Sequence, residues 1–341
     1  MGYMRAIWGL CQGLFLRLLV GAPFSAFLVV FFIAPHAAAA GTVGNYPAPG
    51  LMVRVGDHRL HLDCVGTGGP SVVMESGLGG NSLDWSRVQP QVAGFARVCT
   101  YDRAGYGWSE TGPLPRTSGR IASELHTLLH KAGVQTPYVL VGHSFGGYNV
   151  RLFASYYPDE VAGLVLVDVA HEDQFRRLQQ HGILPRIGGA RMSVTASVPA
   201  VPENLPRDVR PVARALVATF NAQYALRGEM VSFRDSAQEV REAGALPDVP
   251  VLVITRGKRV WPHTERGERL EAIWADLQDD LANRFACHND GAERIHLYAK
   301  HSGHYVQLDE PGVVVGAIRQ VVDSSREELT PRSTWIYANN P

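Results

Sequence analysis

Apolar and polar residues alternate along Leu51–Val55 and again along Arg59–Cys64, with Gly56-Asp57 between them, a period of two that predicts an opening β-hairpin. Short apolar runs recur at Ser71–Glu75, Arg97–Tyr101, Tyr138–Val141, Val161–Val167, Pro250–Thr255 and Arg294–Tyr298. Val161–Val167 is continuously apolar, as in a parallel strand covered on both faces. Between these runs the period lengthens. Ile121, Leu125, Leu128 and Leu129 form the stripe of a helix over Ser118–Lys131 that closes near Gly133. Asn149–Tyr157 reads as a helix stopped by Pro158, Glu265–Ala286 as a long helix and Gly312–Val322 as the closing one. Strands alternating with helices predict an α/β chain with a mostly parallel sheet. From Ala170 to about Leu246 the alternation breaks, and prolines 185, 199, 202, 206 and 211 punctuate mixed polar and helical stretches. The polar tail Asp323–Pro341 is expected to be loosely held.

The chemistry gathers at Gly142-His143-Ser144-Phe145-Gly146, where the Tyr138–Val141 run meets the following helix. A serine at such a corner sits in a strained conformation that lifts its hydroxyl off the sheet, and Gly142, Gly146 and Gly147 supply the lack of bulk this needs. A serine hydroxyl is a poor nucleophile near neutral pH, so it needs a base and a group to orient that base. Upstream, Ser76-Gly77-Leu78-Gly79-Gly80 is a loop whose backbone can approach a ligand closely.

These residues resemble the nucleophile elbow of the α/β-hydrolase family. The resemblance implies a mostly parallel eight-stranded sheet flanked by helices, with a helical cap inserted after the sixth strand at about residues 171–247. It maps the nucleophile to Ser144 and the oxyanion hole to the Phe145 and Leu78 N–H groups, with Gly79 as a nearby alternative. Asp102-Arg103-Ala104-Gly105-Tyr106-Gly107-Trp108-Ser109 is similar to the family's Asp-x-x-Gly-x-Gly-x-Ser turn, where Asp102 and Arg103 read as structural. The family's histidine falls on His304, in Ser302-Gly303-His304-Tyr305-Val306-Gln307-Leu308, in preference to His301 or His143. The acid departs from the usual pattern: after Pro250–Thr255 stands Arg256-Gly257-Lys258-Arg259-Val260-Trp261, with no carboxylate. Some lipases of the fold carry the acid on the preceding strand, which points to Asp168, with Glu172, Asp173 and Glu265 as alternatives. In the family's strand order Cys64 and Cys99 lie on neighbouring strands, either as a disulfide or as two small buried hydrophobes. Trp85, Phe175 and Phe220 are candidates for an acyl pocket or for core.

The chain has 341 residues, 46% hydrophobic and 19% charged, and its 32 Lys and Arg equal its 32 Asp and Glu. That balance gives no basis for binding nucleic acid or an anionic membrane surface. Residues 1–40 differ: Arg5 and Arg17 precede an apolar stretch from Leu18 to Ala34, and an alanine run follows, as in an export signal cleaved after Ala38 or Ala40. The rival reading is an uncleaved membrane anchor over residues 18–34, the protein's only membrane contact. Cys11 lies in this segment, and Cys64, Cys99 and Cys287 fit no zinc spacing. The expected function is an exported serine hydrolase, without metal or organic cofactor, cleaving a small-molecule carboxylic ester through an acyl-enzyme. An amidase, a C–C bond hydrolase or a cofactor-free haloperoxidase would use the same triad, and a non-catalytic binding or sensor protein would keep only the pocket.

Overall fold

The computed structural model describes residues 46–183, 201–244, 246–286 and 296–329. Strands β1 (Leu51–Val55) and β2 (His58–Val65) form the hairpin, followed by β3 (Ser71–Glu75), a 3₁₀ turn at Ser82–Trp85, α1 (Gln89–Val92) and β4 (Val98–Tyr101). Then come α2 (Ser118–Lys131), β5 (Tyr138–His143), α3 (Gly146–Tyr156) and β6 (Val161–Val167). The insertion contributes α4 (Gln174–Gln180), α5 (Arg210–Val217) and α6 (Phe220–Glu242). The alternation resumes with β7 (Val251–Arg256), α7 (Glu265–Ala286), β8 (His296–Ala299), α8 (Val306–Asp309) and α9 (Pro311–Leu329).

The strands form one sheet in the order β1-β2-β4-β3-β5-β6-β7-β8. The pairs β1–β2 and β2–β4 are antiparallel and the rest parallel, so β3, β5, β6, β7 and β8 all point their carboxyl ends to one edge. Ligands of open parallel sheets bind outside that edge. Alternate side chains of the central strands feed two cores. Val73, Leu140, Leu164 and Val253 pack with Leu125, Leu152 and Phe153 on one face, and Val72, Val139, Val165 and Ile254 pack with Trp85, Val314 and Ile318 on the other.

Several boundaries differ from the sequence reading. The helix after the corner begins at Gly146 rather than Asn149, because the chain turns into it directly from Phe145. The closing helix continues past Val322 through part of the tail expected to be loose. There Ser325 Oγ donates to the Ala162 carbonyl at 2.7 Å, and Arg326 reaches the carbonyls of Gly69 at 2.9 Å and Phe95 at 2.8 Å. Cys64 and Cys99 face each other across β2 and β4 and are joined as a disulfide. The segment 1–40 with Cys11, most of the proline-rich stretch 184–200, Cys287 and residues 330–341 lie outside the described residues.

Candidate active site

Strand β5 delivers its chain to the carboxyl edge, and Ser144 follows with φ 52°. A Cβ on Gly142 would lie 2.7 Å from Val150 and one on Gly146 2.6 Å from the Glu75 carbonyl, so the corner closes only around glycines. Residue 168, at the end of the neighbouring β6, has φ 45°, and these two are the non-glycine residues with positive φ among those described. Such strain persists where surrounding structure imposes it, and it clusters at active sites. His304, in the loop after β8, stands between them: its Nε2 is 2.9 Å from Ser144 Oγ and its Nδ1 is 2.6 Å from Asp168 Oδ2.

Asp168 is buried, and its surroundings keep it ionised. Burial works against the charge, but the hydrogen bond and charge of His304, then Arg256 and the Trp274 indole, hold its carboxyl below the ordinary aspartate range. Trp274 Nε1 donates to Oδ1 at 2.8 Å, and Arg256 Nη1 to Oδ2 at 3.0 Å. The cation that the sequence set against an acid after β7 is therefore bonded to the acid on β6. Its charge is matched a second time: Arg256 Nη2 donates to Glu271 Oε2 at 3.0 Å, and Glu271 Oε1 accepts the N–H groups of Val260 at 2.6 Å and Trp261 at 2.9 Å. The guanidinium lies 4.7 Å from the Trp261 ring centre and 4.9 Å from that of Trp274.

The alternative carboxylates are engaged elsewhere. Glu172 pairs with Arg151 and Arg284, Asp173 with Arg176 and Arg241, and Glu265 with Arg269. His301 is exposed, and its backbone N–H bonds Glu310. His143 is buried; that burial, and next the charge of His304, push its pKa down to about 3. It is thus neutral at ordinary pH, and its Nε2–H donates to the His304 carbonyl at 2.9 Å, fixing the backbone of the loop.

The Ser76–Gly80 loop presses on this corner from the β3 side. A Cβ on Gly77 would lie 3.1 Å from Ser144 Cβ. Among the described residues, no protein hydrogen bond uses the backbone N–H of Leu78 or of Phe145. Arg103 holds the loop: its guanidinium donates to the carbonyls of Ser76 at 2.7 Å and Gly77 at 2.8 Å, to Glu75 at 2.7 Å, and to Glu229 of α6 at 2.7 Å. Asp102 likewise binds its own turn, accepting from the N–H groups of Ser82 and Trp108 and from His61.

A cavity of roughly 390 Å³ opens at Ser144, lined also by His304, Phe233, Trp261 and Trp274. The aromatic candidates fare differently. Trp85 is wholly buried in the core, Phe220 is 79% exposed, and Phe175 packs edge-on against Phe233, 5.5 Å between ring centres. Glu271, Trp274, Phe233 and Glu229 were not singled out from the sequence. Their only signal is helical spacing within α6 and α7, which carries no information about partners a hundred residues away. The described residues hold one convergent group of possible metal ligands, His126, His130 and Glu160, none of which lines the Ser144 cavity.

The family model for the alpha/beta hydrolase fold matches residues 70–187, a span with the glycine-rich loop, the serine corner and Asp168. Protein YqjL of Bacillus subtilis is 27% identical over 267 residues, covering 78% of this chain and 88% of that one. An AB hydrolase superfamily protein of Gibberella zeae is 25% identical, covering 74% and 86%. Among solved structures, a thermophilic esterase from Thermogutta terrifontis superposes with TM-score 0.53 at 20% identity, covering 80% of this chain and 97% of that one. The epoxide hydrolase CorEH superposes with TM-score 0.56 at 16% identity, covering 80% and 98%. At such identities the structural likeness reports architecture, and it agrees with the strand order, the strained corner and the family match. The chain has the α/β-hydrolase fold.

Proposed function

We propose that this protein is an exported serine hydrolase that cleaves a carboxylic ester by acyl transfer. The observation that carries the reading is the continuous run of contacts from Ser144 Oγ through both ring nitrogens of His304 to Asp168, beside two unengaged backbone N–H groups. Ser144 Oγ attacks the ester carbonyl as its proton passes to His304 Nε2. The oxyanion that forms accepts hydrogen bonds from Leu78 and Phe145 N–H. Asp168, ionised throughout, holds the Nδ1 proton and stabilises the imidazolium. Collapse expels the alcohol with the Nε2 proton and leaves an acyl-serine. Water then gives a proton to Nε2 and attacks the acyl carbon, and the acid departs as Ser144 recovers its proton.

A serine at the corner favours this chemistry over that of epoxide hydrolases, in which an aspartate forms the covalent ester. Residues 1–40 and the disulfide favour export into an oxidising compartment. A fluorophosphonate probe should label the wild type and not Ser144→Ala. Equal labelling, or none in a folded wild type, would remove the enzyme reading and leave a binding protein.

A further inference from the structure

A second cavity, of roughly 270 Å³, lies against the glycine-rich loop. Leu78 and Gly79 form one wall, Leu205, Ala213 and Met230 of the insertion another, and Tyr305, next to His304, a third. Among the residues lining this space is a carboxylate. Asp84, in the 3₁₀ turn Ser82–Trp85, is 4% exposed and makes no side-chain hydrogen bond or ion pair among the described residues. The one group that hydrogen-bonds it is the Asn81 backbone N–H. Arg103, whose positive charge also acts on it, is already matched by Glu75 and Glu229. Burial outweighs Arg103 and Asn81 and raises the Asp84 carboxyl to about 7.

Two features mark this carboxyl as placed for a ligand. A buried acid held by a single backbone N–H and by no side chain costs stability, and native structures tolerate such costs mainly at functional positions. In addition, a Cβ at Gly80 would fall 2.2 Å from Asp84 Oδ2, so the glycine keeps open the place the carboxyl occupies. Among the described residues, the only charged one lining the cavity thus sits beside the loop that carries Leu78.

We propose that this cavity is a substrate-recognition site and that Asp84 receives a hydrogen-bond donor, a hydroxyl or an ammonium, on the part of the ester that extends past Leu78. The proposal rests on the ester-hydrolase reading above. It excludes simple alkyl esters as the preferred class, because an alkyl group would bury Asp84 with the Asn81 N–H as its one partner among the described residues. Glycine at 80, Asp84 and the apolar walls together fit a chain that is greasy along its length and polar at its end.

The test is a matched series of p-nitrophenyl esters whose acyl chains end in methyl, hydroxyl or ammonium, together with acetates of the corresponding alcohols. Each is measured as kcat/KM on wild type, Asp84→Asn and Asp84→Leu, and titrated calorimetrically onto Ser144→Ala. Wild type is expected to favour one donor-bearing ester over its methyl counterpart by about tenfold, in line with pairing a buried polar group. Asp84→Asn should keep a hydroxyl preference and lose an ammonium preference, which tells the two donors apart, and Asp84→Leu should lose either. A methyl preference in wild type, or the same preference in Asp84→Leu, overturns the proposal. So does failure of both variants to fold, which would assign the carboxyl to the fold. Absence of turnover and of Ser144 labelling would remove the hydrolase reading alone, and the titrations would still decide on Asp84.

Discussion

Arg256 sits where a triad acid is usual, and it acts on Asp168 through a contact of 3.0 Å while Glu271 matches its charge. The sign of its influence on catalysis follows. A cation beside Asp168 disfavours protonation of His304, so Arg256→Met should move the acid limb of the kcat/KM profile to higher pH. Glu271→Gln leaves Arg256 matched by Asp168 alone and should move it to lower pH, with kcat reduced by about tenfold as imidazolium is less well stabilised. Opposite shifts in the two pH–rate profiles are the readout; parallel shifts would reduce Glu271 to a scaffold for the 260–261 turn. Asp84 gives a second residue-level outcome, in stability. Its carboxyl rises from an ordinary 3.8 to about 7 in the folded protein. The folded state therefore binds more protons between those values, and stability should fall as pH rises through that window. Asp84→Asn should remove that fall, seen as a flatter dependence of Tm on pH and a higher Tm at pH 8.

At the scale of elements, β2 and β4 are joined by a disulfide that closes a loop of 35 residues. Cys64→Ala/Cys99→Ala should lose about 4 kcal/mol, or roughly 6 °C in Tm for a domain of about 300 residues. Intact mass without reductant should be two hydrogens lighter than after reduction. Arg103 ties three elements, β3, the glycine-rich loop and α6, through buried charge. Arg103→Met strands Glu75 and Glu229, so a loss of about 3–5 kcal/mol is expected by urea titration. The elements themselves were largely legible. Strand alternation, the stripe of α2 and the length of α7 carry their own periodicity, and the corner and His304 stand in distinctive local sequence. The short turns at Ser82–Trp85, α1 and α8 are too brief for a period, and the extension of α9 depends on contacts from Ser325 and Arg326 to distant carbonyls. Asp168 was reachable through the order of strands, whereas Asp84 and Glu271 look like surface acids until the chain is folded around them.

At the scale of the whole molecule, residues of the insertion line both cavities, Gln174 and Phe233 at Ser144 and Leu205, Ala213 and Met230 against the glycine-rich loop. Secretion trials with and without residues 1–40 should find the protein outside the cytoplasm only when that segment is present, and intracellular retention of both forms would argue against export. The Arg103 junction constrains how the insertion can move. Glu229 and the carbonyls of Ser76 and Gly77 share one guanidinium, so α6 and the loop beneath it form a single girder rather than a door and its frame. Swinging α6 outward would unseat the loop whose Leu78 N–H the proposed acyl transfer calls on. Traffic in and out is therefore expected to leave α6 standing, and a covalent staple between α6 and α3 should slow turnover little.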